Sequence, residues 1–333
     1  MSFLEKLHSS LRQNLISAKY ATILKEFYTN YLKEVEAYGH SKESCEERFA
    51  IFLDLILEQI KEPHRFSPYH AQIRSPFDYY TFGMDFFSPL VDLKASYLLG
   101  IDHLKEIDLL VKNKDNVILL ANHQIEADPQ AISLLVEPIC PKLAEKMIFL
   151  AGERVITDPL AIPFSLGRNL LCIYSKRYID KPIELKMEKQ LHNKRTMELM
   201  GSLLSEGGKI IYVAPSGGRD RMGQDGTIEV AKFDPQSIEM LYLMARKASS
   251  PTFFYTLALK TYSLLPPPET IQLEIGEARI PGRGGVKLHF GSRIDMEHFP
   301  GNALPDKHER RAMRAEHIWN QVMKDYESLA IGA

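Results

Sequence analysis

The sequence predicts an α/β fold: an N-terminal helical bundle followed by a larger α/β domain with a mixed, largely parallel central sheet. Three observations carry this. Up to about residue 62, apolar residues recur at three- and four-residue steps, as one buried helix face requires, and no strand-like run interrupts them. Beyond about residue 115, short apolar runs alternate with helical stretches, the pattern of a parallel sheet with crossover helices. Two late runs, Ile271–Ile275 and Val286–Phe290, alternate sides as half-exposed strands do, which predicts antiparallel pairing toward one edge. The expected division is residues 1–80, a bundle plus a Pro/aromatic linker, and residues 81–333, the α/β domain.

Taken in order, Leu4, Leu7, Leu11 and Leu15 mark a first helix, and Ile23, Phe27, Tyr31 and Leu32 a second that ends near Gly39. Ser41 is placed to cap a third, with Glu43 and Glu46 near its first turn, where the helix dipole favours acids. That helix carries Phe49, Phe52, Leu53 and Ile56, and Pro63 stops it. Residues 63–82 set Pro63, Pro68 and Pro76 among Phe66, Tyr69, Phe77, Tyr79 and Tyr80, which reads as an extended linker packed on the next domain. Strands are expected at Val117–Leu120, Met147–Leu150, Leu170–Tyr174, Ile210–Val213 and Phe253–Leu259. Helices are expected after Pro129, from about Pro182 to Ser205, and from about Lys307 to Ser328.

Composition excludes several classes. Of 333 residues, 41 are Lys or Arg and 43 are Asp or Glu, a net charge of −2, unlike a dedicated nucleic-acid binder. Cys45, Cys140 and Cys172 are odd in number and lack a CxxC pair, so they read as buried free thiols in a reducing compartment. Residues 1–20 carry no apolar core with a cleavage site, and no run reaches the roughly 20 apolar residues of a membrane span. A soluble, cytoplasmic protein is expected.

The most informative segment is Asn122-His123-Gln124-Ile125-Glu126-Ala127-Asp128-Pro129, which follows an apolar strand. A side chain there sits past a carboxyl end, where open α/β sheets hold ligands. Asp before Pro reads as an N-cap, with the helix beginning at the proline. On an ideal helix His123 and Asp128 point roughly 140° apart, so they meet only across a turn. If they meet, the carboxylate orients a histidine base. No Ser or Cys nucleophile stands beside them, so the attacking hydroxyl belongs to a substrate. A helix cap with an unrelated histidine is the alternative from spacing alone. No metal-ligand set surrounds His123.

Two cationic segments also follow strands. In Pro215-Ser216-Gly217-Gly218-Arg219-Asp220-Arg221, paired glycines permit close approach or positive φ, and two arginines can fork onto one phosphate. Ser175-Lys176-Arg177-Tyr178 can join the same anion site. A surface turn and solvated charges are the alternative readings.

With Pro163-Phe164-Ser165-Leu166-Gly167-Arg168-Asn169-Leu170-Leu171-Cys172 between them, these blocks resemble the soluble, plastid-type glycerol-3-phosphate 1-O-acyltransferases, which also occur in some bacteria. The resemblance spans roughly residues 85–300, and the late Pro266-Pro267-Pro268 belongs to it. It implies a helical bundle ahead of an α/β domain, a catalytic His123–Asp128 pair, and phosphate binding by Arg219 and Arg221. The family's Lys-His pair beside the phosphate falls on Arg177 and Tyr178. Arg for Lys keeps the charge, whereas Tyr for His leaves only a hydroxyl. Lys176 takes the place of Arg177 if the register differs by one.

The implied reaction moves an acyl group from an acyl carrier protein or coenzyme A thioester to the sn-1 hydroxyl of glycerol 3-phosphate, the first step of glycerophospholipid synthesis. No metal, prosthetic group or covalent acyl-enzyme is expected. Lysophosphatidate as acceptor, or a non-catalytic phosphate- or lipid-binding protein, are the alternatives. Seven Lys or Arg against three acids between Lys176 and Arg195, and Arg310, Arg311 and Arg314 near the end, are candidate steering patches for an acidic carrier protein. Peripheral contact with an anionic membrane is a further alternative. The resemblance also admits the plastid stroma as the compartment.

Overall fold

Three serines start the first three helices of the computed structural model, which describes residues 2–175, 179–268 and 276–331. Ser2 accepts from the Glu5 amide, Ser17 from Tyr20 and Ser41 from Ser44, each satisfying an N–H that the first turn leaves unpaired. The helices they start are α1 (Phe3–Arg12), α2 (Ala18–Glu36) and α3 (Lys42–Lys61). Leu15 falls outside α1 and is exposed.

The 63–82 segment is more regular than its prolines suggest. It contributes strand β1 (Tyr69–His70) and the start of helix α4 (Tyr79–Phe87). Asp78 caps α4 by accepting from the Thr81 amide at 3.0 Å, two residues beyond the last proline. A boundary at residue 80 therefore falls inside a helix.

The chain continues through β2 (Tyr97–Leu99), α5 (Ile101–Lys112), β3 (Asn116–Ala121), α6 (Asp128–Val136), α7 (Pro141–Lys146), β4 (Ile148–Ala151), α8 (Glu153–Thr157) and α9 (Ile162–Ser165). Then follow β5 (Asn169–Cys172), α10 (Lys186–Glu206), β6 (Ile210–Val213), the ribbon β7 (Arg221–Met222) and β8 (Ile228–Glu229), α11 (Pro235–Lys247), β9 (Thr252–Lys260), β10 (Lys287–Ile294) and α12 (Lys307–Ile331).

Among the described residues the main sheet has eight strands in the order β1-β5-β4-β6-β3-β9-β10-β2. The five from β5 to β9 are parallel. Antiparallel pairing occurs on both sides, β1 on β5 and β10 on β9, and β2 then runs parallel to β10. The expected single antiparallel edge is thus two. The Ile271–Ile275 run lies outside the described residues.

Side chains alternate faithfully across this sheet. Val117, Leu119 and Ala121 join the core shared with α1–α7, while Ile118 and Leu120 join the core formed with α10, α11 and α12. The bundle is not a separate body: Phe49 packs on Phe86 of α4 at 5.1 Å and Phe52 on Phe164 of α9 at 5.0 Å. Tyr31 seals the junction by donating to the Phe86 carbonyl at 2.7 Å.

The strand order creates the site. β3 and β6 are neighbours, but the chain leaves β3 for β4, beyond β6, and leaves β6 for β9, beyond β3. The helices that follow them, α6 and α11, lie on opposite faces. Such a divergence opens a crevice at the carboxyl ends of the two strands. The residues that follow β3 begin with Asn122 and His123, and those that follow β6 lead to Arg219.

Candidate active site

His123 and Asp128 meet across a turn. The Asp128 amide donates to the Ile125 carbonyl at 3.1 Å, bringing the carboxylate back over the loop, where Oδ2 lies 2.8 Å from His123 Nδ1. Asp128 is the first residue of α6, not its N-cap; that place is held by Ala127, with Pro129 following Asp128. The carboxylate points backward because its acceptors are already used. Oδ2 also takes the Gln124 amide at 2.8 Å and the Ile125 amide at 3.3 Å, and Oδ1 takes the Thr261 hydroxyl at 2.5 Å. A carboxylate only accepts, so the shared proton sits on Nδ1, which leaves Nε2 as the ring's basic nitrogen. The Asp128 side chain is 1% exposed and that of His123 29%.

A second buried carboxylate lies behind the pair. Asp220 takes Asn122 Nδ2 at 2.7 Å, Gln124 Nε2 at 3.2 Å and the Ala231 amide at 3.0 Å, while its own amide donates to the His123 carbonyl at 2.6 Å. Gln124 Oε1 in turn accepts the Thr261 and Tyr262 amides at 2.7 and 3.0 Å. Tyr212 donates to the Asn122 carbonyl at 2.7 Å. The ends of β3, β6 and β9 are thereby tied around His123. Burial pushes the Asp220 carboxyl up to about 6 against the pull of these donors.

Arg219 and Arg221 follow the Gly217-Gly218 turn. Gly217 has φ +65°, and nothing lies within 4 Å of where a Cβ would stand on either glycine, so the pair serves the turn and not close packing. Arg219 is not a solvated cation: its Nη2 lies 2.6 and 2.9 Å from the two oxygens of buried Glu277. Arg154 Nη1 reaches the same carboxylate at 2.7 Å. Arg221 Nη1 donates to the Pro268 carbonyl at 2.5 Å. Lys176, Arg177 and Tyr178 lie outside the described residues.

Beside this pair stands a second group. Arg279 contacts Glu126 at 2.9 Å and Asp158 at 3.1 Å, and its Nη1 donates to the Glu277 carbonyl at 3.0 Å. Burial by itself would raise the Glu126 carboxyl; Arg279 and then Arg219 outweigh it and hold it below the usual carboxylate range. Burial likewise opposes the charge on Arg279, and Glu126 and Asp158 more than restore it.

His123 also borders an apolar cavity of about 130 Å³ lined by Phe27, Phe87, Phe149, Phe164, Leu170 and Leu265 among others. Leu119, Tyr212, Phe149 and Leu170 lie at one level across the sheet, with His123 beyond the carboxyl end of β3 and Arg168 just before the start of β5. Arg168 lies at the low end, 4.6 Å over the Tyr80 ring, with Nη1 on Ser133 Oγ at 2.6 Å. Burial lowers its pKa to about 10.

The charged patches are less open than their counts imply. Arg311 and Arg314 both contact Glu239, Arg310 donates to the Leu304 and Pro305 carbonyls, and Lys189 is buried against Glu153. The three cysteines are free and buried, and burial pushes the Cys172 thiol up to about 12. No helix among the described residues is long and apolar enough to cross a membrane.

Sequence reasoning missed Thr261, Glu277 and Arg279, and it passed over Glu126 and Asp220 inside its own motifs. Glu126 stands in the turn that joins His123 to Asp128, which was a usable signal. Thr261, Glu277 and Arg279 come from segments with no motif character.

A histidine held by a carboxylate at a strand-order divergence, beside an apolar slot and an arginine group, is an arrangement suited to an enzyme that takes a proton from a substrate. Comparison gives the class: the Acyltransferase family model matches residues 101–257, which contain His123, Asp128 and Arg219. The chain is 39% identical over 310 residues to the chloroplastic glycerol-3-phosphate acyltransferase ATS11 of Cucurbita moschata, covering 92% of this chain and 69% of that protein. It is 35% identical over 317 residues to the chloroplastic glycerol-3-phosphate acyltransferase of Arabidopsis thaliana, covering 94% and 69%. The chain belongs to the plastid-type glycerol-3-phosphate acyltransferase family. A weaker likeness, TM-score 0.38 at 15% identity over 97% of this chain and 95% of that one, is to the 1-acyl-sn-glycerophosphate acyltransferase of Thermotoga maritima. It is too distant to say anything of the acceptor.

Proposed function

We propose that this enzyme transfers a fatty acyl group from a thioester to the sn-1 hydroxyl of glycerol 3-phosphate. The observation that carries the reading is the placement of His123, whose Nδ1 is held by Asp128 and which lines the apolar slot together with Glu126 and Arg279 of the arginine group. The slot suits a hydrocarbon chain. Arg219 and Arg221 suit a phosphate, with Arg177, Lys176 and Tyr178 as further candidates from the resemblance.

His123 Nε2 removes the hydroxyl proton, and the oxygen attacks the thioester carbonyl carbon. Asp128 stabilises the imidazolium so formed. The C–S bond then breaks, and the imidazolium returns the proton to the departing sulfur. The products are 1-acylglycerol 3-phosphate and a free thiol. The step as written draws on no metal or prosthetic group. We place its action in a soluble compartment, the cytoplasm or, for a mature plastid form, the stroma; the chloroplastic relatives support the plastid.

Thiol release measured with and without glycerol 3-phosphate tests this. Acceptor-dependent release that vanishes in His123→Ala supports it, and wild-type release by that variant would sink it. Release that needs lysophosphatidate instead would replace the acceptor. Running acyl carrier protein and coenzyme A thioesters in parallel, each at two salt concentrations, identifies the donor.

A further inference from the structure

We infer that Glu277 determines which hydroxyl of the acceptor is acylated, by holding Arg219 at a set distance from His123; this rests on the acceptor reading above. Every hydrogen bond that Arg219 makes among the described residues runs from Nη2 to Glu277. Its Nε and Nη1, which flank Nη2 on the two forked edges, make none of these bonds and are left for a ligand. Glu277 is itself held from the other side. Arg154 takes the same carboxylate, and Arg279 takes the Glu277 carbonyl before gripping Glu126 and Asp158.

The result is a continuous strut: Arg219, Glu277, Arg279, Glu126, and then the turn that carries His123 and Asp128. A second link runs through the backbone, since the amide next to Arg219, that of Asp220, donates to the His123 carbonyl at 2.6 Å. One tie fixes the backbone of Arg219 relative to the base, and the strut fixes its guanidinium.

Stability alone does not account for this arrangement. Among the described residues, Arg154, Arg219 and Arg279 are set against Glu126, Asp158 and Glu277, largely buried ions of both signs. Buried pairs of this kind are often matched in stability by apolar packing. Electrostatic attraction of a phosphate does not account for it either, because the acids cancel the charge that would attract the ligand. What the set does supply is geometry. Glycerol 3-phosphate offers two hydroxyls one carbon apart, and a phosphate anchored at a set distance from Nε2 selects between them. A displacement of about 1 Å costs on the order of 100-fold in rate.

The test compares wild type, Glu277→Gln and Arg279→Lys, the last interrupting the same strut at another link while keeping its charge. Binding of inorganic phosphate, kcat, and the ratio of 1-acyl to 2-acyl product are measured on each, with thermal unfolding to confirm the fold. Glu277→Gln removes a negative charge beside Arg219, so phosphate binds at least as tightly as to wild type. Its kcat falls by about 10- to 100-fold, and 2-acyl product rises in both variants. The inference is overturned if phosphate binding weakens in step with kcat while the product stays purely 1-acyl, or if kcat and product ratio are unchanged. Arg219→Ala is the separate control: unchanged phosphate binding there removes the acceptor reading itself, whatever the Glu277 variant does.

Discussion

Thr261 donates its hydroxyl to Asp128 Oδ1 at 2.5 Å, on the opposite oxygen from the one that His123 engages at 2.8 Å. His123 and a residue 133 positions from that aspartate thus hold the two oxygens of one buried carboxylate. Its orientation is decided from both sides before any substrate arrives.

Replacing Thr261 with Val keeps a branched side chain but leaves Oδ1 without its donor. A buried acceptor so stranded costs about 1–3 kcal/mol. Thermal unfolding should show that loss, and kcat should fall by about tenfold with acceptor KM little changed. Thr261→Ser, which keeps the hydroxyl, should restore most of both. Wild-type kcat in Thr261→Val would show that Asp128 does not need this bond.

Asp128→Asn keeps the size of the side chain and loses its charge. The amide no longer stabilises an imidazolium, and its NH₂ faces either His123 with the loop amides or the Thr261 hydroxyl. Turnover should drop by about 10³- to 10⁴-fold, the scale seen when a histidine base loses its carboxylate. Circular dichroism should remain native. A loss of less than tenfold would remove Asp128 from the chemistry.

Asp220 carries a pH dependence of definite sign. Its carboxyl titrates near 6 in the fold against an ordinary 3.8, chiefly because burial disfavours the charge. Between those values the folded protein holds more protons than the unfolded chain, so stability from this group falls as pH rises. The unfolding free energy of wild type minus that of Asp220→Asn should therefore decline from about pH 4 to about pH 6 and level off above. Protonated Asp220 also has less to offer the amides of Asn122 and Gln124, so wild-type activity should fall as pH drops below about 6. A stability difference that rises with pH would show that Asp220 titrates low.

Two glycines should respond to Ala for different reasons. A Cβ on Gly167 would stand 2.5 Å from the Tyr79 carbonyl and 2.6 Å from the Tyr80 amide, backbone that does not yield cheaply. Gly167→Ala should cost about 1–3 kcal/mol as overpacking and loosen the start of α4. Gly217→Ala meets no atom within 4 Å but must adopt φ +65°, at about 1–2 kcal/mol. Equilibrium denaturation measures both. A normal m-value with unchanged midpoint in Gly167→Ala would contradict the close approach.

Much of the fold was legible because its determinants are short-range. Ser41 caps α3 three residues from the amide it binds, and Val117 to Leu120 declare a buried strand by being apolar throughout. The linker misled because three prolines suggest extension, whereas Asp78 begins a helix two residues after the last of them. Antiparallel pairing on the β1 side was not readable either, since two residues carry no periodicity.

By itself the sequence determined the helical start and the alternating strands, which depend on neighbours within a few residues, and offered His123 and Asp128 as a pair that only the resemblance chose over a simple helix cap. The resemblance then singled out Arg219 and Arg221. Only the tertiary structure decided what holds them. Glu277 lies 58 residues beyond Arg219, and Arg279 lies 153 residues beyond Glu126. Side-chain pattern specifies which face of a strand is buried, but which distant carboxylate meets which arginine follows from strand order and register. Those are settled when the sheet assembles, and the crevice between β3 and β6 brings these charges together at that point.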